Sequence, residues 1–257
     1  MEQLEHELWI VQAVNAVLGP VATALLRALG WPVADPSHVI PNYLAVLIVI
    51  VAALTVLSLF VRSRLSVENP GRFQILLEDG LSGMFGLLDE WVGPKGRKYL
   101  PLVGTLALLI WVCNLAGLVP GLMAPTSNLN VTLGCALTVW VFYHIEGVRE
   151  QGLWRYLKHF AVPPGSPVFM APLMLVIETI SHLSRVLSLS LRLFGNIFGE
   201  ELVILILASI VPFFVPLPMM ALGLLTGTLQ AVIFMILTMA YLGGAVASEH
   251  DHDTNHH

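Results

Sequence analysis

Two long stretches without a charged side chain decide what this chain can fold into. Residues 99–145 contain no Asp, Glu, Lys or Arg, and neither do residues 202–248. A helix needs about 20 apolar residues to cross a bilayer, so each stretch is long enough to cross it twice. Hydrophobic residues make up 56% of the chain and charged residues only 11%, whereas soluble domains carry roughly 25% charged residues. The sequence therefore predicts an all-α protein that crosses a membrane several times.

The remaining composition argues against several other classes of protein. The formal net charge is -5, and no basic patch indicates binding to nucleic acid. Cys113 and Cys135 both lie in apolar segments, where packing explains them better than a disulfide or a metal site. The sequence contains no phosphate-binding loop of the Gly-x-x-x-x-Gly-Lys kind. The N-terminus is acidic, unlike a secretory signal, so we expect the membrane spans themselves to direct insertion.

Apolar runs separated by helix-breaking residues predict a single membrane domain over residues 43–247. The proline-rich stretch 212–218 divides the last two helices as a hinge. Residues of mixed polarity at about 70–92 predict a helix that lies at the cytoplasmic interface. The predicted membrane helices are five, at about 43–61, 100–120, 129–145, 168–211 and 217–247.

The basic residues predict the orientation of this domain. They fall in two loop regions separated by an even number of crossings, and the positive-inside bias makes that side cytoplasmic. The N-terminal segment 1–42 then lies outside the cytoplasm, and the histidine-rich tail 248–257 lies inside. We expect an amphipathic surface helix over 8–29, with a membrane span as the alternative. The basic residues are Arg62, Arg64, Arg72, Lys95, Arg97 and Lys98 in one region, and Arg149, Arg155 and Lys158 in the other.

Ionisable side chains cluster in the fourth predicted helix, although a charge at membrane depth costs about 2.5–3.5 kcal/mol or more. At about 100° per residue, Glu178, Arg185 and Arg192 stay within roughly 40° of one helix face. At about 1.5 Å per residue, Glu178 lies roughly 21 Å from Arg192 on one side, and Glu201 about 13 Å away on the other. Carboxylates on both sides of an arginine that keeps its proton suit a proton or cation pathway. The other polar members are Ser181, His182, Ser184, Ser188, Asn196 and Glu200.

Structural roles would explain several of the same residues. A pair between Glu178 and His182 or Arg185 would stabilise the helix bundle without conducting anything. Glu200 and Glu201 would be ordinary solvated charges if they lay at the lipid interface. Glu178 and His182 also have the i, i+4 spacing of metal ligands, but the sequence offers no third ligand, so we expect no metal. A purely structural scaffold, however, gives no reason for the arginine between the carboxylates.

Four segments resemble the signature of a known family. The segment LSLSLRLFGNIFGEELVILIL (187–207) closely resembles that of the a subunit of F-type ATP synthases, and the resemblance extends over roughly residues 43–247. It implies a stator that performs no catalysis itself and holds two offset half-channels against a rotating ring of c subunits. It also implies that the last two helices are long and tilted and form a hairpin. The other segments are NLAGLVPG (114–121), NLNVTLGCAL (128–137) and LQAVIFMILTMAYL (229–242).

The resemblance implies a role for each polar residue. Arg192 matches the family's essential arginine, which faces the rotor carboxylate and separates the half-channels. On the outer side, Asn196, Glu201 and Gln230 match polar positions of the half-channel, and Asn114 and Asn128 fall where they can line it. The residues that match or border the cytoplasmic half-channel are Glu178, Ser181, His182, Arg185 and Ser188.

The chain departs from some relatives at three positions. Gly117 stands where some relatives carry an aspartate, and Gly223 stands where some carry a histidine on the last helix. Glu200 occupies a position that is often a small residue. We therefore expect Glu200 to supply, from across the helix pair, the ionisable group that Gly223 lacks.

The resemblance also implies partners and a location. The partners are the c-subunit ring, the b subunits of the peripheral stalk and the rest of the ATP synthase, in a bacterial inner membrane, with no cofactor. Without the resemblance, a secondary transporter or channel using the same charged helix stays open, although the sequence has no inverted repeat. A membrane hydrolase built on Glu178 and His182 is the other alternative, and it lacks a visible third group.

Overall fold

The computed structural model is helical throughout its regular parts. Within the residues that it describes there is no strand, which confirms the predicted all-α fold. The predicted tail 248–257, Lys95 and Lys158 lie outside the described residues. The described residues are 9–28, 30, 39–66, 70–94, 96–119, 121–156, 171–211, 214 and 216–246.

The helices follow one another with short connections. A 3₁₀ turn, Gly96–Tyr99, leads directly into α4, and another, Pro125–Ser127, precedes α5. A further helical turn lies at 153–156. The long helices are α1 Trp9–Ala28, α2 Asn42–Arg64, α3 Arg72–Trp91, α4 Leu100–Ala116, α5 Leu129–Gln151, α6 Ala171–Ile210 and α7 Pro216–Val246.

Helix α4 ends at Ala116, four residues before the end predicted from apolarity at 120. The chain turns at Gly117, where a Cβ would lie only 2.8 Å from the Cβ of Ala124. A side chain at this position would force the returning chain away. The chain can therefore turn back close to α4 because Gly117 has no side chain. Hydropathy alone does not reveal this cause.

Helix α5 continues to Gln151, past the predicted end at 145. Apolarity predicts that the helix ends before the first charged residue, Glu146. In the structure this buried carboxylate accepts a hydrogen bond from Arg149 (2.9 Å) and lies 3.5 Å from the Lys98 ammonium. Lys98 also pairs with Glu150. Because these charges compensate one another, the helix continues through them.

Six helices in the described part of the chain are long and apolar enough to cross a membrane. They are α2, α5, α6 and α7, the segment Gly96–Ala116 that includes α4, and Val11–Ala28 within α1. Helix α1 contains Pro20 and carries Arg27 in its last turn. The surface position of α1, the count of five spans and the tilt of the last two helices stay predictions.

Helix α2 has the surface of a helix surrounded by lipid. Only Ala45, Val46 and Ile50 are buried along it, whereas Val56 and Leu59 are 66% and 60% exposed. A helix that is apolar on all sides needs an apolar environment on all sides. Within the protein alone α2 does not have one, so its exposed side chains indicate contact with lipid or another apolar chain.

The described chain divides into two compact units. In unit 1, the side chain of Asn15 both donates to the Ile40 carbonyl (3.1 Å) and accepts from its backbone N–H (3.0 Å), which ties α1 to the start of α2. A second apolar cluster joins Val46 and Ile50 to Cys113 of α4. Unit 1 comprises Met1–Leu65, Leu109–Val131 and Phe194–Thr228; unit 2 comprises Ser66–Leu108, Thr132–Leu193 and Leu229–His257.

In unit 2, α3 is fastened at its C-terminal end. Arg97 donates to Asp89 at 2.7 Å, and this guanidinium lowers the pKa of the Asp89 carboxyl below its usual value. The pair is exposed, so it contributes little to stability. The backbone carbonyl of Trp91 approaches Gly243 of α7 so closely that a Cβ there would overlap it. This end of α3 therefore packs backbone against backbone.

Candidate functional site

The longest helix, α6, has a polar stripe and an apolar stripe. Leu189, Leu193 and Ile197 are buried, because residues spaced by four recur on one side of a helix. Ser188, Arg192 and Asn196 also follow one another at intervals of four, and all three are exposed. The arginine thus lies on a side of α6 that the protein's own core does not cover.

Arg192 has no carboxylate partner among the described residues. Salt bridges do form elsewhere in the described chain, for instance between Arg149 and Glu146 at 2.9 Å. A guanidinium within an apolar helix is expected to face a partner or a water-filled cavity. Compensation of its charge would therefore come from water or from a group outside the described residues.

In unit 1, the Glu201 carboxylate accepts a hydrogen bond from the backbone N–H of Ala124 (2.6 Å). The same oxygen would lie 3.0 Å from a Cβ at Gly117. The turn after α4 thus presents a backbone donor to the carboxylate and leaves room for it. The structure therefore brings Glu201 and Gly117 together.

Glu200 of the same unit lies against α7. The Thr226 hydroxyl donates to its carboxylate at 2.9 Å, and a Cβ added at Gly223 would overlap this carboxylate. The structure therefore places the Glu200 carboxylate beside Gly223, and the idea that it supplies the ionisable group that Gly223 lacks stays a prediction. Neither Glu200 nor Glu201 has a Lys, Arg or His partner within the described residues.

Asn114 joins three parts of unit 1. Its amide donates to the Gly227 carbonyl of α7 at 3.0 Å, and its side-chain oxygen accepts from the Thr126 hydroxyl at 2.7 Å. Asn114 is 5% exposed. Gly227 allows this approach, because even a Cβ there would come within 3.2 Å of the Cβ of Asn114. Asn128, which is also predicted to line the outer half-channel, lies just before α5. Its side-chain oxygen accepts a hydrogen bond from the backbone N–H of Asn130 in the first turn of that helix.

In unit 2, Glu178 and His182 form a pair one helical turn apart. The carboxylate oxygen Oε1 of Glu178 lies 3.1 Å from Nε2 of His182. The other ring nitrogen of His182, Nδ1, lies 2.7 Å from the hydroxyl of Tyr143 on α5. Arg185 does not pair with Glu178; its guanidinium lies over the ring of Tyr241, 5.4 Å from the centroid. The pair of Glu178 with His182 is one of the two pairings expected if these residues only stabilise the helix bundle.

The remaining predicted residues have simpler surroundings. Ser181 is half-buried, and its carbonyl accepts from the Ser184 hydroxyl (2.8 Å). Gln230 is 1% exposed on α7. Among the described residues no group of three His, Cys, Asp or Glu side chains is placed to hold a metal.

Sequence reasoning missed four residues of these clusters. Tyr143 and His144 lie in a stretch whose apolarity predicts only a membrane helix, and their rings are 4.4 Å apart. Thr126 and Thr226 are hydroxyl donors to predicted site residues. The sequence offers one indication of these residues, His144, because a histidine is unusual inside an apolar helix. Nothing in the sequence alone indicates the two threonines.

Fold and site together define a polytopic helical membrane protein whose candidate membrane spans carry ionisable side chains. A family model described as ATP synthase A chain matches residues 43–243. The chain belongs to the ATP synthase A chain family.

Similar proteins agree with this family. The chain is 47% identical over 201 residues to ATP synthase subunit a 1 of Syntrophotalea carbinolica, covering 78% of this chain and 84% of the relative. It is 45% identical over 228 residues to ATP synthase subunit a of Citrifermentans bemidjiense, covering 89% and 94%. It is 45% identical over 201 residues to ATP synthase subunit a of Geobacter sulfurreducens, covering 78% and 86%.

Proposed function

We propose that this chain is the proton-translocating a subunit of an F-type ATP synthase. It forms two offset half-channels against the rotating ring of c subunits and couples proton flow to ATP synthesis. The observation that carries the proposal is Arg192, exposed on the polar stripe of a helix long enough to cross a membrane and without a carboxylate partner in the described chain. The family of the chain supports the same function.

The exposed arginine needs an acidic partner from another chain. Leaving its charge uncompensated in the membrane would cost about 2.5–3.5 kcal/mol or more. A carboxylate on the rotor supplies the opposite charge each time a c subunit passes. Because arginine keeps its proton at working pH, it favours the ionised rotor carboxylate and obstructs a direct passage of protons.

The outer half-channel contains the two glutamates after Arg192. Glu200 and Glu201 are held by neutral donors, the Thr226 hydroxyl and the Ala124 N–H, at 2.9 and 2.6 Å. Without a fixed cation beside them, both carboxylates are free to exchange protons with water. The other residues of this half-channel are Asn196, Gln230, Asn114 and Asn128.

The cytoplasmic half-channel contains the polar residues before Arg192. Glu178 is the group that exchanges protons there, and its side chain is 34% exposed. Serine hydroxyls hold water between the charged groups, because each donates and accepts hydrogen bonds. The other residues are Ser181, His182, Arg185 and Ser188.

The subunit conducts protons and leaves nucleotide chemistry to its partners. These partners are the c-subunit ring, the b subunits of the peripheral stalk and the rest of the ATP synthase. The complex lies in the bacterial inner membrane, with the N-terminus of this chain outside and the C-terminus in the cytoplasm. This orientation rests on the positions of the basic residues.

The test replaces Arg192 with alanine in the assembled complex in inverted membrane vesicles. We expect ATP-driven acidification to be lost and passive proton leak under an imposed potential to rise. Arg64→Ala is the matched control, since Arg64 is also exposed but lies over Phe60 at the end of α2. Near-normal pumping by Arg192→Ala in an intact complex would refute the proposal and favour a secondary transporter.

A further inference from the structure

A chain of two hydrogen bonds connects a buried tyrosine to Glu178. The Tyr143 hydroxyl lies 2.7 Å from Nδ1 of His182, and Nε2 of the same ring lies 3.1 Å from Oε1 of Glu178. Tyr143 is 1% exposed and His182 is 8% exposed. The tyrosine therefore contacts the carboxylate only through the imidazole ring.

The chemistry of the three groups determines where the protons lie. An ionised carboxylate only accepts hydrogen bonds, so Nε2 of His182 must carry the proton that points at Glu178. In a neutral imidazole the other nitrogen is then an acceptor, and the Tyr143 hydroxyl donates to it. The hydrogen bond at one ring nitrogen thus selects which nitrogen carries the proton.

Burial and the positive charge of Arg185 favour a neutral His182 ring, and they oppose the Glu178 carboxylate, which by itself would favour the protonated ring. Arg185 lies three residues further along α6, and a second positive charge beside it is unfavourable. From α5, the His144 ring lies 4.9 Å from that of His182, with its own Nδ1 bonded to the Trp140 carbonyl at 2.8 Å. From α7, the ring of Tyr241 lies 6.2 Å from that of Tyr143. Tyr156, beyond α5, faces the His144 ring at 6.1 Å.

We propose that Tyr143 is a positioning residue for proton exchange at Glu178, acting by fixing the tautomer of His182. This inference rests on the proposed function, in which Glu178 exchanges protons on the cytoplasmic side. With Nε2–H held toward Glu178, the carboxylate is stabilised in its ionised form. A proton from water forms one O–H bond on Glu178 and later leaves as that bond breaks, while His182 stays neutral throughout.

Removing the Tyr143 hydroxyl releases this constraint. In Tyr143→Phe, Nδ1 has lost its donor, so the ring can carry its proton on Nδ1 and present Nε2 as an acceptor. A protonated Glu178 then donates to Nε2, which favours the protonated carboxyl. Proton uptake at Glu178 should therefore continue to higher pH than in the unaltered protein.

The experiment measures ATP-driven acidification in inverted vesicles as a function of external pH, divided by the uncoupled ATP hydrolysis rate. The alkaline limb for Tyr143→Phe should move up by about 0.5–1 pH unit, the size expected for one lost hydrogen bond. Tyr99→Phe is the matched control. Tyr99 is 2% exposed, and its hydroxyl donates to Glu146 at 3.2 Å, so that variant loses a similar bond outside the Glu178 chain.

A double substitution separates positioning from general loosening of the helices. In a His182→Gln background the side-chain amide has no tautomers, so adding Tyr143→Phe should give no further shift. An equal shift in both backgrounds would assign the effect to packing and overturn the inference. An unchanged limb in Tyr143→Phe, or one that moves to lower pH as expected for a relaying imidazolium, would overturn it too.

The tautomer can also be observed without altering Tyr143. In ¹⁵N-histidine-labelled complex, the resonances lost in His182→Gln identify His182, and its Nδ1 should report an unprotonated acceptor. A protonated Nδ1 would contradict the inference even if Tyr143→Phe failed to assemble. If Arg192→Ala loses pumping while Tyr143→Phe matches the unaltered protein, this inference alone fails; normal pumping by Arg192→Ala rejects the proposed function itself.

Discussion

Gly223→Ala tests whether the position of the Glu200 carboxylate controls conduction. The added methyl group would overlap this carboxylate. The overlap falls on the far end of a flexible side chain, so Glu200 can move aside without separating α6 from α7. The moved carboxylate loses the 2.9 Å hydrogen bond from Thr226. Gly223→Ala therefore displaces the Glu200 carboxylate without changing residue 200 itself.

The size of the effect follows from that bond. A hydrogen bond to a charged group contributes about 1.5–3 kcal/mol, and about 1.4 kcal/mol is a factor of ten. The arrangement with Glu200 against Thr226 should thus become about ten to a hundred times less populated. Alanine also favours a helix over glycine by about 1 kcal/mol, so the variant should still fold and assemble.

The assay is ATP-driven acidification by the assembled complex in inverted vesicles, with ATP hydrolysis measured in parallel. Gly223→Ala should pump at a tenth of the normal rate or below, about as slowly as Glu200→Gln. Gly244→Ala is the matched control on the same helix, because a Cβ there meets no atom within 4 Å. Normal pumping by Gly223→Ala beside a slow Glu200→Gln would refute the role of carboxylate position. Normal pumping by Glu200→Gln would remove Glu200 from the pathway altogether.

Two further substitutions test packing. Gly243→Ala should cost about 1–3 kcal/mol of stability, because its methyl group would overlap the backbone carbonyl of Trp91. The subunit should then be lost from the complex at a lower temperature. Gly244→Ala, in open space, should leave that temperature unchanged, and an equal drop in both variants would contradict the overlap. Asn114→Ala removes hydrogen bonds of 3.0 and 2.7 Å and should cost about 1–3 kcal/mol in the same assay. Asn130→Ala, exposed and with a 3.4 Å bond to Tyr43, is its control, and a loss as large as that of Asn114→Ala would count against the bridge.

The sequence predicted the parts of this molecule that depend on hydrophobicity and on isolated charges. The charge-free stretches at 99–145 and 202–248 predict helices because they are long apolar runs and a helix satisfies all of its own backbone polar groups in lipid. Arg192 could be singled out because nothing in an apolar segment explains a permanent charge. Both inferences use only the chemistry of the side chain and its surroundings along the chain.

What the sequence could not predict depends on contacts between distant segments. Tyr143 is an aromatic residue in an apolar stretch, and nothing in its local sequence distinguishes a hydrogen-bonding partner of His182 from a packing ring. The extension of α5 through Glu146 depends on Lys98, which precedes it by a whole membrane helix. Such contacts are decided by tertiary packing, which local pattern does not encode.

The partners of three carboxylates, the buried Glu146 and the half-buried Glu200 and Glu201, differ in charge. Glu146 lies between two cations, Lys98 at 3.5 Å and Arg149 at 2.9 Å. Opposite charges this close favour the ionised carboxylate, and removing one partner of a buried pair is costly, so Glu146 is suited to hold helices together.

Glu200 and Glu201 instead have a hydroxyl and a backbone N–H as donors. Neutral donors position a carboxylate but favour its ionised form less than a cation does, which leaves it able to take up a proton and release it. If Glu200 and Glu201 conduct protons as proposed, the carboxylates that conduct are those without a fixed cation among the described residues. Arg192, exposed and without a carboxylate partner in the same residues, is the corresponding case with the opposite sign.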